Sequence, residues 1–290
     1  MVKVAVLGAT GYSGKKLVHI LLGHRQVELV YISSRQEAGM KYSEVFKEFT
    51  SRCDLVLEKP DAEEAAKNAD IVFLCLPHTV SMEYLPRIVK KKRKVIDISA
   101  DYRLKDVSLY KKFYGKIHKD RKNLKLAIYG LPEVYKQEIG RANIVANPGC
   151  YSTCCILGSY PLVKYKLIKG DIFVDAKSGI SGAGRKPKVE LSFCEIDGNI
   201  KCYKPFVHQH TPEIEQILQR EVVFVPHLVS IQDGIMCTMV MRLSSEIKSK
   251  SIVRAFSFYE NSPFVRVYHD GYLPTIKDVV GTNFCDIGYR

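Results

Sequence analysis

Hydrophobic residues in the first half of the chain come in short runs separated by amphipathic stretches. Apolar runs at 2–7, 27–32, 71–76, 95–98 and 143–147 predict buried strands. The stretches near 14–23, 61–68 and 80–90 have the spacing of apolar residues that is typical of helices. Because buried strands that alternate with helices form doubly wound sheets, the pattern predicts an α/β fold with a Rossmann-type parallel sheet.

The pattern changes after residue 156. Predicted strands at 172–176, 222–225, 235–243, 264–268 and 277–280 are separated only by short helices near 213–220 and 252–259. The run 235–243 is largely apolar on both faces, which predicts a strand inside a mixed, largely antiparallel sheet that packs against helices or a partner subunit. We therefore predict a nucleotide-binding domain at 1–149, an α+β domain at 150–290, and a homo-oligomer, either a dimer or a tetramer.

Composition and charge exclude several classes of protein. No apolar run approaches the roughly 20 residues of a membrane span, and the first residues form a strand pattern rather than a signal peptide. Nine cysteines without disulfide or zinc spacing predict free thiols, no metal site and a cytoplasmic location. The net charge of +13 is compatible with nucleic acid, but no nucleic-acid motif accompanies the densest basic run, 90–94. We therefore expect an anionic small molecule, with no membrane and no nucleic acid as partners.

A glycine-rich segment between the first strand and the first helix predicts a dinucleotide-binding loop. Glycines allow a tight turn there, and the helix N-terminus offers N–H groups to a pyrophosphate. The predicted contacts are Gly8, Thr10, Gly11, Tyr12, Ser13 and Gly14. The second strand ends in Ser33, Ser34 and Arg35, which suit a 2′-phosphate better than a 2′-hydroxyl, so NADP(H) is the predicted cofactor. An exposed basic loop is the alternative interpretation of these three residues.

Cys150 follows a Pro-Gly turn at the position where a helix begins. The helix dipole lowers the pKa of a thiol there, so Cys150 is the candidate nucleophile; a small packed residue is the alternative. His210 precedes Thr211, the predicted N-cap, and Pro212, the predicted first residue of the helix, and this position favours a neutral imidazole that can accept a proton. His208 shares this neighbourhood, but no third ligand for a metal ion is evident.

The segment 177–186 combines small residues with cations after a predicted strand. Small residues expose backbone N–H groups, so this loop is expected to bind a phosphate or carboxylate; a flexible hairpin is the alternative. The predicted cofactor contacts are Ser178, Gly179 and Gly182, with Pro77 after the third strand, and Ser181 and Arg185 are predicted substrate contacts.

Six segments carry a resemblance to a known family. They are GATGYSG from residue 8, DISADYR from 97, YGLPE from 129, NPGCYST from 147, KSGISGAGR from 177 and HQHTPEIEQ from 208. Together they resemble the N-acetyl-γ-glutamyl-phosphate reductases of the aspartate-semialdehyde-dehydrogenase superfamily, over nearly the whole chain. The resemblance implies a catalytic and dimerisation domain after residue 149, and an NADPH-dependent reduction of a small-molecule acyl phosphate in arginine biosynthesis.

The resemblance also implies roles for single residues. The Cys150 thiolate would attack the acyl phosphate, leaving a thioester that NADPH reduces to the semialdehyde. His210 would act as acid and base, and His208 would be the second choice for this role or a substrate contact. Ser99, Arg103 and Asn147 would contact the substrate, and the first two follow a strand of the parallel sheet at the end where such folds bind ligands.

Two departures from the family leave alternatives open. Asp233 stands where family members usually have arginine, and members continue beyond Arg290 with a segment that returns to the first domain. A chain that ends at Arg290 is therefore expected to bind NADPH weakly. The alternatives are a lysine-pathway reductase, acting on aminoadipyl phosphate borne by an acidic carrier protein, and a non-catalytic NADP-binding protein.

Overall fold

The computed structural model describes residues 1–244 and 247–290. The chain divides into two compact units, Met1–Pro148 and Gly149–Arg290, each with its own sheets.

The first unit contains a six-stranded sheet in which every neighbouring pair is parallel. Its strands are β1 (Val2–Leu7), β2 (Val27–Ser33), β3 (Ile71–Leu74), β4 (Lys94–Asp97), β5 (Ile128–Tyr129) and β6 (Ile144–Ala146), in the order β2-β1-β3-β4-β6-β5. Along β1, Val4 and Val6 belong to one apolar cluster, and Ala5 and Leu7 belong to another. Both faces of the sheet are therefore covered, which confirms the predicted doubly wound architecture.

Seven helices connect these strands. They are α1 (Tyr12–Leu22), α2 (Tyr42–Val45), α3 (Ala62–Asn68), α4 (Ser81–Lys90), α5 (Val107–Tyr114), α6 (Arg121–Leu126) and α7 (Pro132–Arg141), with a 3₁₀ turn at Lys47–Phe49. The side chains of Asp61, Asp106 and Asp120 cap α3, α5 and α6 by accepting hydrogen bonds from the first backbone N–H groups. Gly11, at the N-cap of α1, has no side chain that could do so.

The second unit contains a four-stranded mixed sheet and a separate pair of parallel strands. The mixed sheet consists of β7 (Ile168–Ser178), β8 (Ile200–Cys202), β9 (Val222–Val229) and β10 (Ile235–Leu243), in the order β10-β7-β9-β8, and only β7 and β9 are parallel. The pair consists of β11 (Val265–Tyr268) and β12 (Cys285–Gly288). This arrangement confirms the predicted α+β fold with a largely antiparallel sheet.

The helices of this unit are α8 (Cys150–Lys164), α9 (Phe193–Ile196), α10 (Thr211–Leu218) and α11 (Ser249–Phe256). Shorter 3₁₀ turns cover Ile180–Ala183, Val189–Leu191, Ser257–Tyr259 and Ile276–Asp278. Within residues 1–244 and 247–290, no helix has both the length and the apolar character that a bilayer span requires.

Two predictions about the second unit are wrong. β10 is an edge strand rather than an interior one, and its residues alternate between exposed and half-buried positions. Residues 277–280 are not a strand, because Ile276–Asp278 forms a 3₁₀ turn closed by reciprocal hydrogen bonds between Thr275 and Asp278. The strand that pairs with β11 is β12 instead. Across this pair, Arg266 of β11 donates two hydrogen bonds to the carboxylate of Asp286 in β12.

Candidate active site

Cys150 is the first residue of α8, as the sequence predicts. Strand β6 ends at Ala146, and Gly149 occupies the N-cap position in an extended conformation. Cys150 is exposed, so its thiol lies where solvent can reach it and where the positive end of the helix dipole is strongest. This position stabilises a negative charge on sulfur.

The environments of the other thiols differ from that of Cys150. All nine cysteines lie in the described ranges and are free of disulfides, and only Cys150, Cys194 and Cys202 among them are exposed. Burial raises the pKa of Cys75 to about 12. A hydrogen bond with Cys237, together with burial, raises the pKa of Cys154 well above its ordinary value. Burial therefore disfavours the thiolate of Cys75 and Cys154, whereas Cys150 is exposed and begins the long helix α8.

The imidazole of His210 lies against the residue that precedes Cys150. A Cβ atom added to Gly149 would lie 2.4 Å from Nε2 of His210 and within 2.8 Å of two ring carbons. The sequence predicts that Thr211 is the N-cap of the following helix, whereas α10 begins at Thr211 and His210 itself is the N-cap. The imidazole is therefore beside the N-termini of both α8 and α10, and both dipoles disfavour its protonation.

Glu213 hydrogen-bonds to the same turn. The sequence did not predict this role. Glu213 is only 1% exposed, and its Oε1 accepts a hydrogen bond of 2.7 Å from the backbone N–H of Gly149. Glu213 lies in the first turn of α10, three residues after His210. This spacing puts both side chains on one face of the helix, which is the sequence signal that could have identified Glu213.

His208 is a buried neutral imidazole that positions His210. Its Nδ1 accepts a hydrogen bond of 3.1 Å from the backbone N–H of His210, which leaves the proton on Nε2. The rings of Tyr151, Tyr203 and Phe224 surround it with centroids 5.4 to 5.6 Å away. Burial, with smaller contributions from His210 and Lys204, lowers the pKa of His208 to about 3. Proton transfer near neutral pH therefore falls to His210.

The loop after β7 uses its backbone N–H groups within the fold. Those of Gly179, Ile180 and Ser181 donate to carbonyl oxygens of the segment 231–234, at 2.9 to 3.1 Å. The hydroxyl of Ser181 also donates to Oδ1 of Asp233 at 2.5 Å. The expectation that these three N–H groups are exposed for an anion is therefore wrong.

The other predicted residues of this loop differ in exposure. Ser178 is buried and its hydroxyl donates to the carbonyl of Gly179, whereas Gly182 and Arg185 are exposed. Their contacts with cofactor or substrate stay predictions.

The glycine loop of the first unit has the shape that a dinucleotide requires. Gly8 has a φ of +83°, and a Cβ atom there would lie 2.3 Å from the carbonyl oxygen of Cys75. A Cβ atom on Gly14 would lie 2.2 Å from the carbonyl oxygen of Gly8, whereas one on Gly11 would meet nothing closer than 3.8 Å. The backbone therefore lines a cradle at the N-terminus of α1 that fits a pyrophosphate.

Residues beside this cradle have distinct positions. The carbonyl of Ser33 accepts hydrogen bonds from the N–H groups of Gly8 and Ala9 at 3.1 and 2.9 Å, but the Ser33 side chain is fully buried. Ser33 therefore holds the loop through its backbone. The remaining predicted contacts, Tyr12, Ser13 and Pro77, are exposed.

An acidic residue contacts Ser34, one of the two hydroxyls predicted for the 2′-phosphate, and Thr10 of the glycine loop. The hydroxyls of Thr10 and Ser34 both donate to Oε2 of Glu37, the former at 3.0 Å. The guanidinium of Arg35 hydrogen-bonds with Tyr84 of α4, which raises the pKa of Arg35. Glu37 was missed because it follows the strand by four residues and returns to it through the loop.

Ser99, Arg103 and Asn147 meet at the carboxyl ends of β4 and β6. Arg103 is buried, and its Nε and Nη2 donate to the carbonyl oxygens of Asn147 and Ile98 at 2.7 and 2.8 Å. Ser99 donates to Oδ2 of Asp97 at 2.8 Å. Burial, with a smaller contribution from the Asp101 charge, raises the pKa of Asp97 to about 6. Direct substrate contact by the three predicted residues stays a prediction.

No group of three or more His, Cys, Asp or Glu side chains in residues 1–244 and 247–290 is arranged to hold a metal ion. The second unit brings together an exposed thiol at a helix N-terminus, a neighbouring imidazole and a buried carboxylate.

Comparison with known proteins identifies the family. Residues 3–142 match the family described as semialdehyde dehydrogenase, NAD binding domain, and residues 150–290 match semialdehyde dehydrogenase, dimerisation domain. The chain is similar to an aspartate semialdehyde dehydrogenase of Candida albicans solved with NADP, with a TM-score of 0.71 at 17% identity, covering 96% of this chain and 85% of the other. That likeness concerns the fold alone.

Sequence similarity is higher among curated relatives. An N-acetyl-gamma-glutamyl-phosphate reductase of Syntrophobacter fumaroxidans is 43% identical, covering 100% of this chain and 86% of the relative. One of Thermoanaerobacter pseudethanolicus is 41% identical with the same coverage. With such identity along its whole length, the chain belongs to the N-acetyl-gamma-glutamyl-phosphate reductase family.

Proposed function

We propose that this protein catalyses the NADPH-dependent reduction of N-acetyl-γ-glutamyl phosphate to the semialdehyde and inorganic phosphate, in arginine biosynthesis in the cytoplasm. The observation that carries the proposal is the position of Cys150 at the start of α8, directly after a glycine that lies against the His210 imidazole. The names of the relatives support this substrate over carrier-bound aminoadipyl phosphate.

Cys150 is the nucleophile of the proposed reaction. Its sulfur attacks the acyl carbon, the bond between that carbon and the phosphate oxygen breaks, and phosphate leaves with the electron pair, so that a thioester remains on Cys150. NADPH, when bound, would supply the hydride that reduces the thioester carbon. Breakage of the carbon–sulfur bond releases the aldehyde and restores the Cys150 thiolate. The dipole of α8 stabilises that thiolate at both ends of the cycle.

His210 is the proposed acid and base. Its imidazole lies against Gly149, and its backbone occupies the N-cap of α10 and donates a hydrogen bond to His208. The neutral His210 accepts the thiol proton of Cys150 and gives it to the carbonyl oxygen when hydride adds. It takes that proton back when the carbon–sulfur bond breaks, so that a neutral aldehyde leaves. The buried Glu213 carboxylate, three residues further on, holds the turn before Cys150 by accepting the hydrogen bond of the Gly149 N–H.

The cofactor site is proposed at the glycine loop of the first unit. Gly8, Gly11 and Gly14 provide the cradle for the pyrophosphate, next to the N-terminal N–H groups of α1. Ser34 directly follows β2, where the adenosine ribose binds in this fold class, and its hydroxyl oxygen lies 2.9 Å from that of Thr10 in the glycine loop. The family match over residues 3–142 and the NADP named for the Candida albicans enzyme support NADP(H) as the cofactor.

Two arginines, one in each unit, are the proposed partners of substrate anions. In the first unit, Arg103 is buried and donates to the carbonyl of Asn147. In the second unit, Arg185 is exposed in the loop after β7, and Ser181 of the same loop is a further proposed substrate contact.

We also propose that the protein is a homo-oligomer assembled through the open face of the four-stranded sheet. On this face Phe173 is 52% exposed and lies opposite Val240, which is 65% exposed. An ion pair of Asp175 with Lys177 and a contact of 3.2 Å between Asp175 and His227 lie beside them. Large apolar side chains exposed on adjacent strands indicate a surface that a partner covers, and the dimerisation-domain match over residues 150–290 supports this assembly.

The experiment that tests the function is the reverse reaction. Wild type should oxidise N-acetylglutamate semialdehyde with NADP⁺ only when phosphate is present, because phosphate releases the acyl group from the thioester. Cys150→Ser should reduce the rate at least about 10³-fold while NADP⁺ binding is unchanged, because an alcohol is a far weaker nucleophile. Cys194→Ser, at an exposed cysteine in the short helix α9, is the matched control and should keep full activity. Equal activity of Cys150→Ser and wild type would overturn the proposal.

A further inference from the structure

The end of β2 contains one acidic side chain whose position bears on the choice of cofactor. Glu37 is half-buried, and its Oε2 accepts the hydroxyl hydrogens of both Thr10 and Ser34. The backbone N–H of Glu37 in turn points to the Ser34 oxygen at 3.4 Å. These contacts fix the carboxylate at the carboxyl edge of the parallel sheet, next to the start of the glycine loop.

Ser34 is one of the hydroxyls predicted to bind the 2′-phosphate, and Thr10 of the glycine loop lies beside it. Both are more than nine-tenths buried, and their oxygens are 2.9 Å apart, so the two hydroxyls form one small donor site. A carboxylate oxygen and a phosphate oxygen accept hydrogen bonds from the same donors, and both are anionic. Glu37 therefore holds its negative charge where the 2′-phosphate of NADP(H) would hold its own, and the two repel each other.

A ribose with a free 2′-hydroxyl encounters the opposite situation. In sites that prefer NAD(H), an acidic side chain near the end of the second strand accepts a hydrogen bond from this hydroxyl. Glu37 has the charge and the position for that contact. The guanidinium that would favour a phosphate, Arg35, hydrogen-bonds with Tyr84 in this structure.

We propose that Glu37 determines how far the site discriminates between NADP(H) and NAD(H), by repelling the 2′-phosphate of one and accepting the 2′-hydroxyl of the other. The inference rests on the proposed function, since it assumes that the glycine loop binds a nicotinamide dinucleotide. With Glu37 present, the ratio of the dissociation constants for NADH and NADPH should be smaller than the hydroxyls and Arg35 alone would give.

The test compares binding rather than turnover. Dissociation constants for NADPH and NADH are measured by fluorescence titration with wild type, Glu37→Gln and Glu37→Ala. Both substitutions should tighten NADPH binding by about tenfold or more and leave NADH binding unchanged or weaker, because the repelling charge is lost. The same comparison with adenosine 2′,5′-bisphosphate and 5′-AMP isolates the 2′-phosphate from the nicotinamide.

Glu28→Gln is the matched control. Glu28 is exposed at the opposite end of β2, so its removal changes the net charge equally without touching the hydroxyls. It should leave both dissociation constants within about twofold of wild type, since exposed charges at that distance are screened by salt. Thermal midpoints show whether each variant is folded, and Glu37→Gln keeps an oxygen that accepts from Thr10 and Ser34.

The outcomes separate this inference from the proposed function. If wild type and Glu28→Gln bind both cofactors, but the ratio of dissociation constants is unchanged in both Glu37 variants, the role of Glu37 is wrong and the proposed function stands. If wild type binds neither cofactor nor the adenosine fragments, the proposed cofactor site is wrong, and this inference is wrong with it.

Discussion

The imidazole of His210 lies so close to Gly149 that a single methyl group on Gly149 would lie 2.4 Å from its Nε2 atom. The glycine between the turn and the nucleophile is therefore required by the histidine rather than by backbone conformation, since its φ of −69° suits any residue.

Gly149→Ala should separate the nucleophile from its base. The added methyl group forces either His210 or the turn to move, and a displacement on the order of 1 Å costs about 100-fold in rate. We expect kcat/KM to fall by about that factor, with NADP⁺ affinity unchanged. Gly140→Ala is the control, because a Cβ atom there meets no atom within 4 Å. A fully active Gly149→Ala enzyme would contradict the contact.

Glu213→Ala should loosen the turn that presents Cys150. It leaves the buried Gly149 N–H without this acceptor, which costs on the order of 1–3 kcal/mol of folding free energy. We expect Cys150 to react more slowly with iodoacetamide relative to the exposed Cys194 and Cys202, which serve as internal references. Glu213→Gln retains an acceptor and should lose less stability. Glu221→Ala, at an exposed position, should change neither quantity. Unchanged relative rates in Glu213→Ala would argue against a positioning role.

Ser181 and Asp233 should be energetically coupled. Their hydrogen bond joins the loop after β7 to the loop before β10, at 2.5 Å. A double-mutant cycle with Ser181→Ala and Asp233→Asn, measured by urea unfolding, should give about 0.5–1 kcal/mol, as expected for an exposed pair. A parallel cycle of Ser181→Ala with Asp197→Asn should give zero, since Asp197 lies outside this contact. Equal values in the two cycles would exclude the coupling.

Asp97 should make folding stability depend on pH in a defined direction. Burial raises the pKa of Asp97 to about 6 in the folded protein, so its contribution is fully present below the unfolded pKa of about 3.9 and is lost as the pH rises to about 6. The difference in unfolding free energy between wild type and Asp97→Asn should therefore fall by about 3 kcal/mol over that window. Urea unfolding from pH 4 to 8 measures this difference. Asp171→Asn, at an exposed site, is the control, and its difference from wild type should not change with pH. A pH-independent difference for Asp97→Asn as well would contradict the prediction, because it would mean that the folded-state pKa of Asp97 is not raised.

The features predicted from the sequence are those written in local patterns. Alternating apolar runs give the parallel sheet, and glycines next to helix starts mark the dinucleotide loop and the Cys150 turn. Such features depend on residues within one strand, turn or helix of each other.

The features that were missed depend on contacts between distant residues. Glu213 reaches Gly149 across 64 positions, and the rings that bury His208 come from three separate segments of the chain. The edge position of β10 has the same cause, because strand order is set by pairing with β7 and not by the apolar content of β10 itself. Sequence periodicity carries no information on such pairings.

Some helices of this protein have an aspartate at the N-cap, and others have a glycine there. Aspartates cap α3, α5 and α6, whereas α1 and α8 begin after glycines that offer no capping oxygen. A glycine there gives up part of the roughly 1 kcal/mol that a capping side chain contributes to helix stability. Because no capping side chain accepts their hydrogen bonds, the first N–H groups of α1 and α8 can stabilise a negative charge outside the helix. At the starts of α1 and α8, the proposed pyrophosphate and the Cys150 sulfur would supply the negative charge that the aspartates supply at α3, α5 and α6.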